Sequence, residues 1–565
     1  MTNDTRNLIL AVILSALVFV GWGLIQQRFF PTVAAPPATV IAGGKTKILP
    51  APAAQPTIPG AAAPVVAQDR AQVVAGTPRV QIRTPLVRGS INLIGAKIDD
   101  LALLKFKQTI AKTSPNIILF SPSGAPGTAF AQFGFSGAGA PAANARWSAS
   151  AATLGVGAPV TLSTAGANGA TYQIVLSIAD DYLLRVDHRI VAGAVAATAR
   201  PFSLVTRTGE SPDKSGFTAF FGPTAIIDGH INHESWSDVT KAPGETIAFS
   251  GHGWLGFSEK YWLTALAPDP AAAVDASFKH GGADLFQADA LAPALAAGPG
   301  RIASATGYLY AGAKEVGTLQ RIENRFGIVQ FDNAIDWGWF RIIAKPIFSL
   351  LDFLFKLTGN FGLAIMGLVL ILKLVLFPIA ARQYHSMAKM RVLGPKLKQL
   401  QARHKEDKPR LQTEMMEFYK REKVNPVGGC LPTLIQIPIF FALYKTLLVT
   451  IEMRHQPFVA WIKDLSSPDP LTPVNLFGLL PFTPPHQIAL GILPILLGVT
   501  MWVQQKQNPP SPDPAQAQIF AFMPWVFMFI MAPFAAGLQL YWATNNTLTI
   551  LQQLWFKRKE RAVAK

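Results

Sequence analysis

Cysteine is almost missing from this chain of 565 residues. The single one, Cys430, excludes an intrachain disulfide and any paired-cysteine metal site. A domain outside the cytoplasm must therefore be held by its own core. Cys430 follows Gly428-Gly429 at the start of an apolar run, where a small buried residue is its expected role. Charge is also sparse, at 15% of residues against 50% hydrophobic, a balance that leans away from a plain soluble enzyme. Conventional catalytic motifs are lacking. There is no His-Glu-x-x-His and no Gly-x-Ser-x-Gly, and the apolar runs carry no nucleophile or aspartate pair suited to intramembrane proteolysis. Two glycine patterns match nucleotide motifs by spelling only. Gly43-Gly44-Lys45-Thr46 has Thr39 where a phosphate loop needs glycine. Gly251-x-Gly253-x-x-Gly256 lacks the βαβ setting and the acidic residue about 20 positions on, so a β-turn beside Trp254 is expected there.

What is present is unevenly spread. Residues 8–25 form one apolar stretch of about the 20 residues a spanning helix needs. A cleaved signal peptide has a shorter apolar core and a small-x-small site, whereas Gln26-Gln27-Arg28 follows here, which favours an uncleaved signal-anchor within 1–30. Residues 31–69 are rich in Ala and Pro and read as an extended tether. Residues 70–335 alternate in short runs, such as Tyr172–Ile178 and Tyr182–Val186, between Gly, Pro, Asn and Asp clusters. That pattern predicts a large all-β sandwich. Residues 336–358 mix aromatics and leucines on one broad face, as in a helix lying in the membrane interface. Further spans are expected at about 361–381, 431–450, 487–504, 518–534 and 537–556, six in all, the last two joined by a tight hairpin at Pro533–Gly537. The expected fold is an α-helical polytopic membrane protein carrying a large β domain.

The net charge of +17 is distributed as in a membrane protein. Basic residues cluster beside apolar runs, above all in the loop 382–430 and in the tail 557–565. No stretch interleaves basic and aromatic residues as a single-strand-binding groove does, so direct nucleic-acid recognition is not expected. Positive-inside then puts 382–430 and both termini in the cytoplasm and residues 31–335 on the opposite side.

Lys373 is the most informative residue, because it stands inside Leu370-Ile371-Leu372-Lys373-Leu374-Val375-Leu376. In a span ending at 381 it lies about 13 Å from the cytoplasmic helix end. A charge in hydrocarbon costs roughly 3 kcal/mol. Snorkelling is one escape; a water-filled cavity covers that depth better. Thr433 and Gln436 on the third span, and Tyr541, Asn545, Thr549 and Gln552 on the last, recur at helical spacing as further lining groups. Each of them taken singly reads equally as an interhelical hydrogen bond. The loop 382–430 reads as two helices, one with Met387, Met390 and Arg391, the other with Met415 and Tyr419. This hairpin suits lipid headgroups or a partner, and suits equally a solvated hairpin.

Several motifs are specific. They are Gln383-Tyr384-x-Ser386-Met387-Ala388-Lys389-Met390-Arg391, Asn425-Pro426-x-Gly428-Gly429-Cys430-x-Pro432, Gln436-Ile437-Pro438-Ile439-Phe440, Leu493-Pro494-Ile495-Leu496 and Phe522-Met523-Pro524. Over 337–556 the sequence resembles the YidC/Oxa/Alb family of membrane protein insertases. The resemblance is thinner over the β domain, where Gly253-Trp254 and Tyr261-Trp262 match. It implies a five-helix insertase core at 359–556, a periplasmic β-supersandwich, a cytoplasmic helical hairpin and the bacterial inner membrane. It also implies a cytoplasm-facing hydrophilic groove whose basic residue is usually arginine. Here that position is Lys373, which keeps the charge and loses the planar fork. Tyr541 matches a substrate-contacting aromatic. The implied partners are nascent membrane proteins, the Sec translocon, the ribosome, the signal recognition particle receptor and membrane lipids. No cofactor, metal or enzyme activity is implied.

On these readings a substrate's polar tail enters the groove near Lys373 while its apolar segment slides along Phe440, Phe441, Phe527 and Phe529. A solute transporter would instead want paired ionisable groups and inverted repeats, and the chain offers one lysine and no repeat. A sugar-binding or sugar-modifying enzyme would work through the β domain with residues such as Asp187, His188, His230 and His252. Deleting about 70–330 separates this last view from insertion. Insertion into liposomes should largely survive the deletion, whereas an activity seated in the β domain should vanish.

Overall fold

The computed structural model describes residues 39–42, 45–48, 68–209, 220–282, 284–338, 340–403, 408–422, 431–477, 479–480, 490–507 and 514–563. The expected signal-anchor, most of the tether, and Cys430 lie outside these residues. The chain divides into two units. One holds Ala35–Asp336 with Val449–Ile451; the other holds Trp337–Leu448 and Glu452–Lys565 with Met1–Ala34.

In the first unit, alternating apolar residues build two sheets with buried inner faces. On Thr171–Ile178, for instance, Tyr172, Ile174 and Leu176 are fully buried on one face. The nine-stranded sheet runs from the short edge strand His230–His233 to Ser148–Ala149, with Leu183–Val191 and Ile302–Ala313 paired antiparallel near its middle. The other sheet has eleven strands, with Ala129–Ser136 and Ala197–Thr208 side by side in its interior. A buried ion pair, Arg79 to Asp99 at 2.6 Å, clamps its far strands together, and Asn92 Nδ2 donates to the same carboxylate.

The pattern Gly251-x-Gly253-x-x-Gly256 is not a turn within one sheet. Thr246–Gly251 belongs to the eleven-stranded sheet and Gly253–Ser258 to the nine-stranded one, so the chain changes sheets at His252. Glycine is needed for close approach. A Cβ on Gly253 would stand 1.8 Å from the Ile226 carbonyl oxygen, and one on Gly256 2.1 Å from that of Thr264. Trp254, fully buried, follows the crossing and donates its Nε1–H to the Val329 carbonyl over 3.2 Å, with Phe331 edge-on to its ring.

The second unit is helical. After Arg70–Ala75 (α1), Trp236–Lys241 (α2) and Val316–Phe326 (α3) of the first unit come Arg341–Thr358 (α4), Phe361–Val375 (α5), Phe377–Arg403 (α6) and Lys408–Arg421 (α7). Then follow Leu431–Val449 (α8), Ile492–Gln507 (α9), Pro514–Met531 (α10) and Ala536–Val563 (α11). Helix α4 covers the expected interfacial segment. It buries Ala344, Ile347, Phe348, Leu351 and Leu354 and leaves Ile342, Phe353 and Leu357 exposed.

The expected span 361–381 is interrupted. Helix α5 ends at Val375, and α6 leaves it at an angle of 65°. Pro378 supplies the reason, since it has no N–H to donate and its ring clashes with the Leu374 carbonyl one turn back. Lys373 therefore sits in the last turn of a short helix, and not about 13 Å inside a long one. Among the described residues no single helix is both long and apolar enough to cross a membrane. The bent pair Phe361–Val375 and Phe377–Leu397 together pass that test, and Gln436–Val449 and Ala517–Met531 are shorter apolar helices. Polar residues within the expected spans lower their hydropathy; α11 alone carries Gln539, Asn545, Asn546, Thr549, Gln552 and Gln553.

One buried group gives the β unit a pH dependence. His188 lies between Phe133 and Phe135 with Nε2 unpaired among the described residues. Burial lowers its pKa from 6.5 to about 4, against the opposing pull of a backbone hydrogen bond to Phe202 and of Asp187. The unfolded chain takes up this proton near pH 6.5 and the folded one only near 4. Stability is thus complete above about 6.5 and falls as pH drops through that window, by about 3 kcal/mol in all. Urea unfolding at pH 7 and pH 4 should show this loss in the unaltered protein and a smaller one in His188→Gln; equal losses would contradict it.

Candidate functional site

The cavity of interest lies within the helical unit, at the junction of α5, α6, α8, α9 and α11. Its volume is about 400 Å³, and a smaller pocket of about 10 Å³ adjoins it beside Lys373, Gln436 and Tyr541. Local contacts set the starts of α5, α9 and α11. Asn360 caps α5, accepting from Leu363 N–H over 3.1 Å, and its amide donates to the Phe458 carbonyl over 3.0 Å. Gly362 lets that loop aromatic lie on the helix, because a Cβ there would meet the Phe458 ring at 2.0 Å. Asp469 orders the approach to α9, accepting from Leu493 N–H over 2.8 Å and from Trp461 Nε1–H over 3.0 Å. Gln539 closes the expected α10–α11 hairpin. Its buried amide donates to the carbonyls of Met531 at 2.9 Å, Ala532 at 3.2 Å and Phe534 at 2.8 Å, and the Met531 carbonyl also accepts from Phe534 N–H over 3.1 Å.

Lys373 reaches across to α11 and donates from Nζ to Thr549 Oγ1 over 2.7 Å. Thr549 donates in turn to the Asn545 carbonyl, also over 2.7 Å. Gln436 Nε2 donates to the Tyr541 hydroxyl, which ties α8 to α11. Asn546, almost fully buried, donates to Thr500 Oγ1 over 3.3 Å and ties α9 to α11. Lys373, Gln436, Asn545, Thr549 and Gln552 all line the larger cavity, while Tyr541 borders the smaller pocket. Thr433 is on the first turn of α8, and its side chain is outside the described residues.

Several lining groups escaped the sequence reading: Gln383, Gln504, Gln505, Trp542, Asn546 and Gln553. For Asn546 and Gln553 the signal is doubling. Asn545-Asn546 and Gln552-Gln553 each put two amides side by side, so that both flank the inward direction, and a search for one residue per turn keeps only one of each pair. Gln504-Gln505 is a third doublet, on α9, where the sequence reading places no lining group. Among the described lining residues there is no Asp or Glu.

The aromatic residues divide. Phe440 and Phe527 both pack against Trp542, with ring centres 5.2 and 5.1 Å away, while Phe441 and Phe529 are exposed. In the hairpin, Met390 and Met415 pack against the buried cluster of Leu393, Leu397, Phe418 and Tyr419, so this apolar stripe is largely spent between α6 and α7. Met387 faces the cavity instead, and Arg391 is half-buried.

Residues 353–563 match the 60Kd inner membrane protein family, and residues 79–350 match the YidC periplasmic domain. The membrane protein insertase YidC of Zymomonas mobilis is 42% identical over 564 residues, covering 99% of this chain and 96% of that one. The chain belongs to the YidC family of membrane protein insertases. The YidC of Methylorubrum extorquens is 41% identical over 593 residues, with the same coverage of 99% and 96%. An active YidC insertase crystal structure with its first transmembrane domain resolved aligns over 84% of this chain and 94% of its own, at 16% identity and a TM-score of 0.36. The protein is an inner-membrane insertase with a periplasmic β domain and a C-terminal helical core, and it is not an enzyme.

The Lys373–Thr549 bond carries a stability prediction. Thr549→Val keeps the side-chain shape and removes the acceptor, so thermal or denaturant unfolding in detergent should show a loss of about 1.5–3 kcal/mol. An unchanged midpoint would mean that the lysine finds another acceptor.

Proposed function

We propose that the cavity around Lys373 receives the polar tail of a nascent membrane protein from the cytoplasm and lowers the cost of moving it across the bilayer. The observation that carries this reading is one lysine in a cavity lined by amides and hydroxyls, with no carboxylate among the described lining residues. An acidic or uncharged tail finds hydrogen bonds there and an attractive charge, whereas a basic tail meets repulsion and no counter-ion. Gln436, Tyr541, Asn545, Thr549 and Gln552, with Thr433 on the same helix as Gln436, are the proposed groove residues. The apolar segment of the substrate would leave along the face that carries Phe440, Phe441, Phe527 and Phe529, its own burial in lipid driving release, helped by the membrane potential acting on a negative tail.

The proposed orientation puts both termini and the 382–430 hairpin in the cytoplasm and residues 31–335 in the periplasm, as the clustering of basic residues supports. Nascent membrane proteins are the proposed clients. The Sec translocon, the ribosome, the signal recognition particle receptor and membrane lipids are proposed partners. Lys557, Arg558 and Lys559 and the hairpin are the basic elements for the cytoplasmic contacts.

The test is protease-protected insertion of a small single-spanning substrate with an acidic tail, in liposomes holding the full chain and in empty ones. Insertion should exceed the empty control. Lys373→Ala should slow it on the order of tenfold, the equivalent of about 1.4 kcal/mol of attraction, and Lys373→Arg should restore it. Full-rate insertion by Lys373→Ala would overturn the electrostatic step.

A further inference from the structure

The loop between α8 and α9 has two parts of opposite character. Residues 451–469 carry Glu452, Arg454, His455, Lys463, Asp464 and Asp469. This part is packed down on the helices. Ile462 and Leu465 are buried, and the Leu465 and Ser467 carbonyls accept from Gly537 N–H over 2.9 Å and Ala536 N–H over 2.8 Å at the start of α11. From residue 470 to residue 505 the sequence holds no Asp, Glu, Lys or Arg. Val474, Leu476, Phe477, Leu479 and Leu480 are all exposed there, Leu479 to 82%.

This uncharged part is a built turn. Thr472 Oγ1 accepts from Val474 N–H over 3.2 Å at the head of the 3-10 turn Pro473–Asn475. The Pro473 and Thr472 carbonyls accept from the N–H groups of Leu476 and Phe477 over 3.0 and 2.9 Å, and the Asn475 carbonyl from Leu480 N–H over 3.1 Å. Leu476 and Phe477 both take the left-handed backbone conformation, with φ of 51° and 59°, which is costly for bulky side chains. Glycine would adopt it without that cost, so the large apolar side chains at these positions call for a use. The turn is also fixed to the start of α9, where the Leu471 carbonyl accepts from Ile492 N–H over 3.2 Å.

An exposed apolar patch of this kind is covered by a protein partner or by lipid. A protein interface surrounds its apolar centre with a polar rim, and the run 470–505 supplies no charged residue for one. The same run continues into α9, where Leu496, Val499 and Trp502 are exposed at intervals of three residues, on a helix of an inner-membrane protein. Irregular backbone does not face lipid within the hydrocarbon core, so the turn belongs at the membrane interface beside the helix end, with only its side chains in the acyl region.

We propose that the turn at 472–477, with Leu479 and Leu480, inserts its apolar side chains into the acyl-chain boundary of the leaflet at the start of α9, which is the periplasmic leaflet in the proposed orientation. It holds that helix end at a fixed depth. Binding comes from apolar area alone, so it is indifferent to lipid charge, unlike a contact made by the basic hairpin 382–430.

The experiment uses the full chain, dilute in phosphatidylcholine vesicles, in a Cys430→Ser background carrying either Leu479→Cys or Lys463→Cys. Both positions are exposed in one loop, so both meet the same side of the membrane. A charged, membrane-impermeant maleimide should modify position 479 about tenfold more slowly than position 463, the protection expected for burying one leucine-sized side chain. Adding anionic phosphatidylglycerol should leave that ratio unchanged. Equal rates overturn the proposal. So does protection that requires anionic lipid, or protection lost on further dilution in lipid, which marks a second copy of the chain as the cover. A second arm uses the unaltered chain and a phospholipid with a photoactivatable group near the top of its acyl chain. Adducts should form on the apolar residues of the turn as well as on Leu496 and Val499, and their absence from the turn overturns the proposal. If the Leu479→Cys variant fails to fold, this second arm decides.

Discussion

A lysine set among leucines needs a polar partner, and the helical unit is arranged around supplying one. Lys373 Nζ spans to Thr549 Oγ1, the Thr549 hydroxyl donates in turn to the Asn545 carbonyl, and Gln436 meets Tyr541 beside them. These contacts join α5 and α8 to α11, and Asn546 adds α9 through Thr500. Apolar residues replacing both partners of each bond together would pack as well in hydrocarbon. The polar groups are therefore better explained by what the cavity receives than by stability, because burying a charge rarely gains stability over burying an apolar isostere.

Around that cavity the remaining polar groups mostly terminate structure. Asn360 begins α5, Asp469 orders the start of α9, and Gln539 covers the carbonyls at the end of α10. Each satisfies backbone groups that a helix end leaves open. With the ends held in this way, the inward amides of α9 and α11 are left for the cavity. The β unit uses different means to the same end. Its two sheets bury alternating apolar residues, and glycines at 253 and 256 permit the close approach where the chain passes from one sheet to the other.

Much of this was legible in the chain itself. Period-two runs such as Tyr172–Ile178 identify strands because one sheet face is buried, and that local pattern survives any tertiary arrangement. The apolar runs mark α8, α9 and α10 to within about five residues and the start of α11 to within one, since a helix in an apolar setting must satisfy its own backbone, while α11 runs on to Val563 through the basic tail. Lys373 stands out because its surroundings make it costly. The interruption at Leu376 was also written in the sequence, in Pro378, but the length of the apolar run concealed it.

Other features only the tertiary structure decided. Periodicity says which residues share a face of one helix and nothing about which helix that face meets, so the pairing of Lys373 with Thr549, rather than with Gln436 or Asn545, follows from how α5 packs on α11. For the same reason Met390 and Met415 read as a surface stripe until α6 and α7 close on one another, and Trp542 reads as one more apolar residue until Phe440 and Phe527 close on its ring. Sequence determines the inventory of helices, strands and costly polar groups through local chain physics. Which of those groups meet, and which are left unpaired beside the cavity, depends on contacts between residues as much as 176 positions apart, which no local rule constrains.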